Sequence, residues 1–139
     1  MRHTSYLCFF MMKRFFEWIK LKKDLHERKR IPPYVREKEI WWARIGENIG
    51  HEMNGKNEQF SRPVLIFKKL SQSLFFAIPL TTQMKTGTWF VSYRQSSILA
   101  VACLHQARTI DYRRLSKKLG ELDDSDFKRI KAAFFKLYR

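Results

Sequence analysis

The apolar positions of this chain change period along its length. Up to about residue 30 they recur at helical spacing. Met11, Met12, Phe15, Phe16, Trp18 and Ile19 form one broad apolar face, while Lys13, Arg14, Lys20, Lys22, Lys23, Arg28, Lys29 and Arg30 lie mostly elsewhere. Pro32-Pro33 closes this predicted basic helix, because the first ring clashes with the preceding backbone and neither proline donates a hydrogen bond. A short link follows to about Lys38.

From Glu39 the pattern is that of short strands. Residues 40–45, 63–67, 74–80, 88–93 and 98–104 are compact apolar runs, and Pro63 is tolerated because it opens its run. Residues 68–73 predict a hairpin turn and Gly87 a second one. Residues 46–61 are polar and glycine-bearing, longer than most connections, and loops of that kind are often functional. The period then returns to helical. Asp123 has the form of an N-cap with Asp126 as its partner, and Phe127, Ile130, Phe134 and Leu137 make an apolar stripe. Acids at the start and Lys136 and Arg139 at the end suit the helix dipole. Brief strands joined by brief turns predict a small barrel or sandwich, with the last helix packed on the sheet.

Composition narrows the partners more than the fold. Hydrophobic residues make up 45% of the chain and aromatic residues 15%, enough to bury a core and too many for a disordered chain. The formal charge of +15 suits a polyanion: nucleic acid, an anionic membrane or an acidic protein. Cys8 and Cys103 lack metal spacing and read as reduced thiols, and the four histidines show no paired ligand spacing, so no structural metal or cofactor is expected. The apolar run at 6–12 is too short to span a bilayer and lacks a small-residue cleavage site. A cytoplasmic protein is therefore expected, with a membrane partner disfavoured.

Four short signals follow one another in fixed order. Glu39-Ile40-Trp41 leads to Gly50-His51-Glu52 in the long loop. Arg62-Pro63-Val64-Leu65-Ile66 comes next, then Pro79-Leu80-Thr81-Thr82. Last is Gln106-Ala107-Arg108-Thr109-Ile110-Asp111, with Arg114-Leu115 and Lys118-Leu119-Gly120 behind it. In order and spacing they resemble the MazF/PemK toxins of type II toxin–antitoxin systems, over about residues 37–138. The resemblance implies an SH3-like barrel with attached helices, mainly β in class, and a homodimer. It implies a metal-independent endoribonuclease (an mRNA interferase) that cuts single-stranded RNA at short sequences. An acidic antitoxin would neutralise it by laying a disordered tail across the RNA groove. Residues 1–37 then form an added basic amphipathic helix with a Pro-Pro linker, and 38–139 the toxin domain.

Metal-free RNA cleavage needs a base for the 2′-hydroxyl, a cation or donor for the charge developing on phosphate, and an acid for the leaving 5′-oxygen. Requiring the 2′-hydroxyl separates RNA from DNA. Arg62 occupies the family's Arg-Pro position and offers a fork of donors to phosphate. Thr81 matches the family's active-site threonine, and Thr82 a position often filled by a small hydroxyl residue. Turn-forming threonines that bond their own backbone are the plainer reading of both. His51 can act as base, acid or phosphate donor, or be a solvated loop residue.

The chain departs from its relatives at one point. Many carry an acid just before the glutamine, where this chain has His105. One branch carries an arginine where Cys103 stands, and a serine used by others falls near Ala100. Two readings stand: His105 supplies the base with Arg62 or His51 as acid, or the chain cleaves poorly or only binds, and His105 has a further reading as a packed, hydrogen-bonded residue without chemistry. Under the second, the chain is a non-catalytic RNA- or antitoxin-binding module on the same fold. A gyrase-poisoning toxin is a third reading, disfavoured by the Arg-Pro and Pro-Leu-Thr-Thr signals. Thr82, Gln106, Trp41 and Lys56 are the candidate RNA contacts, Trp41 by stacking on a base. Trp41 and Trp42 alternate on one strand, so at least one belongs to the core. Gln106 and Asp111 have a structural reading as well, Asp111 through the turn and links to Arg113 or Arg114. The basic N-terminal helix docks on the barrel or dimer, lies on an anionic membrane, or helps hold RNA.

Overall fold

The computed structural model describes residues 2–95 and 97–139, and side chains of the N-terminal helix from Arg14 onward. The predicted positions Met11 and Met12 of the apolar face therefore lie outside the described side chains. Helix α1 spans Arg2–Glu27 and helix α2 Asp124–Leu137. Between them run β1 (Glu39–Arg44), β2 (Ser61–Lys69), β3 (Leu74–Thr81), β4 (Phe90–Gln95), β5 (Ile98–Cys103), β6 (Arg108–Asp111) and β7 (Leu115–Glu121). Two 3-10 turns, Leu104–Gln106 and Tyr112–Arg114, bracket β6.

All pairings are antiparallel, in the order β4-β5-β3-β2-β1-β7. Strand β3 is the hub. One edge pairs with β2, while the other pairs with β6 at Leu74–Ala77 and then with β5 at Leu80 and Thr81. Changing partner along a single strand brings the end of β3, and with it Thr81, to the seam between two sheets.

The period of the strands explains two cores. Along β2, Leu65 and Phe67 enter one cluster, and Val64 and Ile66 the other. Along β3, Ile78 and Leu80 join the first, Phe75 and Ala77 the second. Alternate side chains leave opposite faces of a strand, so strands covered on both faces read as continuous apolar runs. Helix α2 covers the first cluster with Phe127 and Ile130, and its Phe134 ring lies 4.7 Å from that of Phe67. Asp123 caps α2 by accepting from the Asp126 N–H at 3.0 Å. This is the expected mainly β architecture with one helix at each end.

Three local expectations need correction. Helix α1 stops at Glu27, ahead of Pro32-Pro33. The chain leaves the helix so that the Arg30 carbonyl can accept from the Tyr112 hydroxyl at 2.9 Å, while the Arg30 guanidinium donates to the Leu115 carbonyl. The broad apolar face of α1 is not buried as one. Trp18 and Leu25 are buried and Leu21 packs beside them, whereas Phe16 and Ile19 are 65% and 58% exposed. Finally, the sequence pattern predicts no strand after residue 104, yet β6 and β7 lie there. β6 is only Arg-Thr-Ile-Asp, and β7 is a polar edge strand with a single buried residue, Leu115. Lysines on an edge strand discourage pairing with other chains, and they also hide the strand from a hydrophobic pattern.

Glu39 is a buried carboxylate at the start of β1. It accepts from the Arg36 N–H (2.8 Å) and Trp41 Nε1 (3.1 Å) and pairs with Lys118 of β7 at 2.7 Å. Burial alone would raise its pKa, but these donors together hold it below the ordinary glutamate value. Among the described residues no helix is long and apolar enough to cross a membrane.

Candidate functional site

Arg62, second in β2, is 9% exposed and has no carboxylate partner within salt-bridge distance among the described residues. Its Nε donates to the Asn54 carbonyl at 2.8 Å and its Nη1 to the Leu80 carbonyl at 3.4 Å. Burial lowers its pKa from the ordinary value, but a guanidinium stays charged at neutral pH. A buried, hydrogen-bonded cation without a counterion is a pre-oriented anion site.

Two cavities meet at this residue. A pocket of about 230 Å³ gathers Arg62, Thr81, His51, His105, Lys56 and Gln106 with Gln83, Lys85 and Cys103. An apolar cleft of about 410 Å³ lies on its other side, walled by Trp42, Pro63, Leu80, Tyr93, Ile98 and Leu119. Arg62, Thr81 and Lys56 line both, and among the described residues no carboxylate lines either. Burial drives the Tyr93 phenol well above its ordinary pKa, so it stays neutral. The site thus combines positive charge with an apolar wall, and among the described residues no cluster of His, Cys, Asp and Glu could hold a metal ion.

Thr81 ends β3 and is 7% exposed. Its Oγ1 accepts from the Gln83 N–H at 3.1 Å. That is the backbone bond of a turn threonine, and it leaves the hydroxyl's own proton to be donated. Thr82 is exposed and faces the apolar cleft, outside the polar pocket.

The histidines differ. His51 is exposed in the long loop. His105 is half-buried in the 3-10 turn after β5, stacked on Trp89 (4.8 Å between centroids, 23° between planes) and edge-on to Phe90. Desolvation lowers its pKa, which favours the neutral imidazole at pH 7. Its Nδ1 is buried with no hydrogen-bond partner among the described residues. Both histidines also border a further cavity of about 620 Å³ that contains Glu52 and Arg108.

Trp41 needs correction as a stacking residue. It is 7% exposed within the second core, and its Nε1 is tied to Glu39, so neither face is offered to a base. Trp42, its half-buried neighbour, faces the cleft instead. Gln106 is a clamp. Its Oε1 accepts from the Met53 N–H and its Nε2 donates to the His51 carbonyl, both at 3.0 Å. Asp111 accepts from the Arg113 N–H at 2.9 Å and so holds the second 3-10 turn. Lys56 is exposed at the rim of both cavities.

Sequence reasoning missed Asn54, Lys85 and the role of the loop as a scaffold. Asn48 donates from its N–H to Asn54 Oδ1 at 2.6 Å and from its Nδ2 to the Met53 carbonyl at 2.8 Å. Gly55 N–H donates to the Gly46 carbonyl at 2.8 Å. The density of Asn and Gly in this loop was the available signal. Cys103 lies against Arg62, which draws its pKa down, but burial is the larger effect and leaves it raised, hence a thiol.

The comparisons with known proteins bear on residues 36–138. These match the family described as PemK-like, MazF-like toxins of type II toxin–antitoxin systems. No curated protein sequence matches the chain. Among solved structures, MazF of Deinococcus radiodurans is similar at 21% identity and a TM-score of 0.64, over 76% of this chain and 98% of that one. An endoribonuclease from a mycobacterial species, solved with its cognate antitoxin, is similar at 16% identity and 0.60, over 76% and 95%. A MazE–MazF complex from Deinococcus radiodurans is similar at 18% identity and 0.58, over 76% and 97%. At such identities these likenesses speak for the fold.

Proposed function

Since the chain belongs to the family of PemK-like and MazF-like toxins of toxin–antitoxin systems, we propose that it is a metal-independent endoribonuclease acting on single-stranded RNA. The observation that carries this reading is the carboxylate-free pocket that unites buried Arg62 with Thr81, two histidines and two lysines. Arg62 stabilises the charge developing on the scissile phosphate. Thr81 donates its free hydroxyl proton to a non-bridging oxygen. His105, favoured as neutral, takes the 2′-hydroxyl proton, and that oxygen attacks phosphorus to form a cyclic phosphate. His51 protonates the leaving 5′-oxygen. Lys56 and Lys85 draw the RNA backbone to the pocket, and Thr82 and Trp42 line the cleft for an adjacent base.

The toxin domain is residues 38–139, with 1–37 an appended helix and linker. Ile98 and Leu119, 59% and 42% exposed, support a homodimer. The charge of +15 supports an acidic antitoxin as partner, and an RNA substrate would place the protein in the cytoplasm.

Incubation with mixed-sequence RNA in EDTA tests the reading. Cleavage with 5′-hydroxyl ends is expected, falling about 10²–10³-fold in Arg62→Ala. Arg62→Lys is expected to restore little, because it keeps the charge and loses the fork. The rate should rise with pH through a value below the ordinary imidazole pKa of about 6.5. Intact RNA, or equal cleavage by Arg62→Ala, overturns the reading. Salt-dependent RNA binding without cleavage would overturn it in favour of a binding module.

A further inference from the structure

Helix α1 lies outside the residues that match the family, yet it is packed on the loop that builds the site. Arg14, Trp18, Leu21 and Leu25 fall at spacings that place them on one face of a helix. Trp18 is 5% exposed and its ring lies 5.5 Å from that of Phe60. It also lies over Gly46, where an added methyl would come within 2.2 Å of the indole. Arg14 sits 4.8 Å from the Phe60 ring centroid and donates to the Gly55 carbonyl at 3.4 Å. Its Nε is 2.7 Å from buried Glu47 Oε2, an ion pair by distance that lacks hydrogen-bond alignment.

Gly46, Glu47, Gly55 and Phe60 are the roots of the loop. Gly55 N–H donates to the Gly46 carbonyl, and Gly46 N–H to the Phe60 carbonyl at 3.2 Å. Between these roots, Asn54 accepts from Arg62 Nε, and Gln106 clamps the backbone at His51 and Met53. The contacts therefore form one chain from the helix to the loop roots, and from the loop to Arg62 and His51.

We propose that α1 is a built-in brace of the site, with Trp18 and Arg14 as positioning residues that hold loop 46–60 in the conformation that aims Arg62 and His51. The functional half of this inference rests on the catalytic reading of those two residues; the mechanical half does not.

The test uses the full chain with Trp18→Ala, Trp18→Phe and Arg14→Ala. Amide exchange and the Arg62 Nε–H signal read the brace, and kcat and KM on RNA read its consequence. In Trp18→Ala the Asn48, Met53 and Gly55 amides should exchange about tenfold faster and the Arg62 Nε–H lose protection, while Leu65 and Ile78 stay protected. kcat should fall about 10–100-fold with KM changed far less, since misplacement of reacting groups acts on the chemical step. Trp18→Phe should recover most of both, and Arg14→Ala should show the same pattern more weakly. Unchanged loop exchange overturns the proposal. So does loss of protection spread equally over β2 and β3, which would make Trp18 a stability residue only, and so does a loosened loop with unchanged kcat. If the unmodified chain cleaves no RNA, the catalytic reading fails, and the exchange measurements still decide the brace.

Discussion

The two helices at the ends of this chain both dock with aromatic and aliphatic side chains, but on different things. Helix α2 lies on the main core: Phe127 and Ile130 pack among Leu65, Phe67, Ile78 and Leu80, residues held in paired strands. Helix α1 buries Trp18 against Phe60, at the root of a loop, in a cluster of its own that includes Leu25; the Arg114 guanidinium of the second 3-10 turn lies over the Trp18 ring at 5.8 Å. Equal burial thus has unequal consequences. Where the partner is a sheet, burial contributes to global stability. Where the partner is a loop, burial selects among loop conformations that would otherwise be close in energy.

Ile130→Ala is the largest expected breach of this contrast. Ile130 is fully buried, and such a truncation costs about 2–5 kcal/mol. Denaturant unfolding followed by circular dichroism should show the whole transition shift, with α2 and the sheet lost together. Gly46→Ala comes next, at about 1–3 kcal/mol for overpacking. The residue has φ +90°, where a side chain is strained, and its methyl would meet Trp18. Here the midpoint should move less, and fluorescence should report a displaced Trp18 while strand amides keep their protection.

Asp123→Ala should remove the α2 cap and lower Tm by a few degrees, with exchange rising first in the initial turn of α2. Acid is the mildest probe. Bonds from the Asp126 N–H and Ser125 lower the Asp123 pKa, a bond from Lys38 lowers that of Asp124, and Glu39 is lowered as well. Groups with depressed folded values stabilise fully above their unfolded values, about 4, and lose that contribution as pH falls through the folded ones. Loosening at the α2 N-terminus and the start of β1 is therefore expected below about pH 4, read by amide exchange at those elements.

The legibility of the fold follows the same division. α2, β1, β2, β3 and β5 were readable because their apolar runs are strong and local. β4 was misplaced by two residues, since Gly87 and the Phe90 N–H close a turn that holds Thr88 and Trp89. β6 and β7 were not readable, because one is too short and the other is polar, and their pairing with β3 and β1 is what makes them strands. In the site, Arg62, Thr81, His51 and His105 were nameable from ordered motifs, and they share a pocket. Trp41 was not distinguishable from Trp42, because alternation fixes opposite faces without saying which is inward.

By itself the sequence determined the class of the fold, the family and the positively charged character of the site, since these rest on local periodicity, short motifs and net charge. Only the tertiary structure decided that Arg62 is buried without a counterion among the described residues, that Gln106 holds the loop instead of reaching a base, and that α1 meets the loop and the second 3-10 turn, outside the two strand cores. Those facts depend on contacts between residues far apart in the chain, and a single sequence has no term for the distance between them.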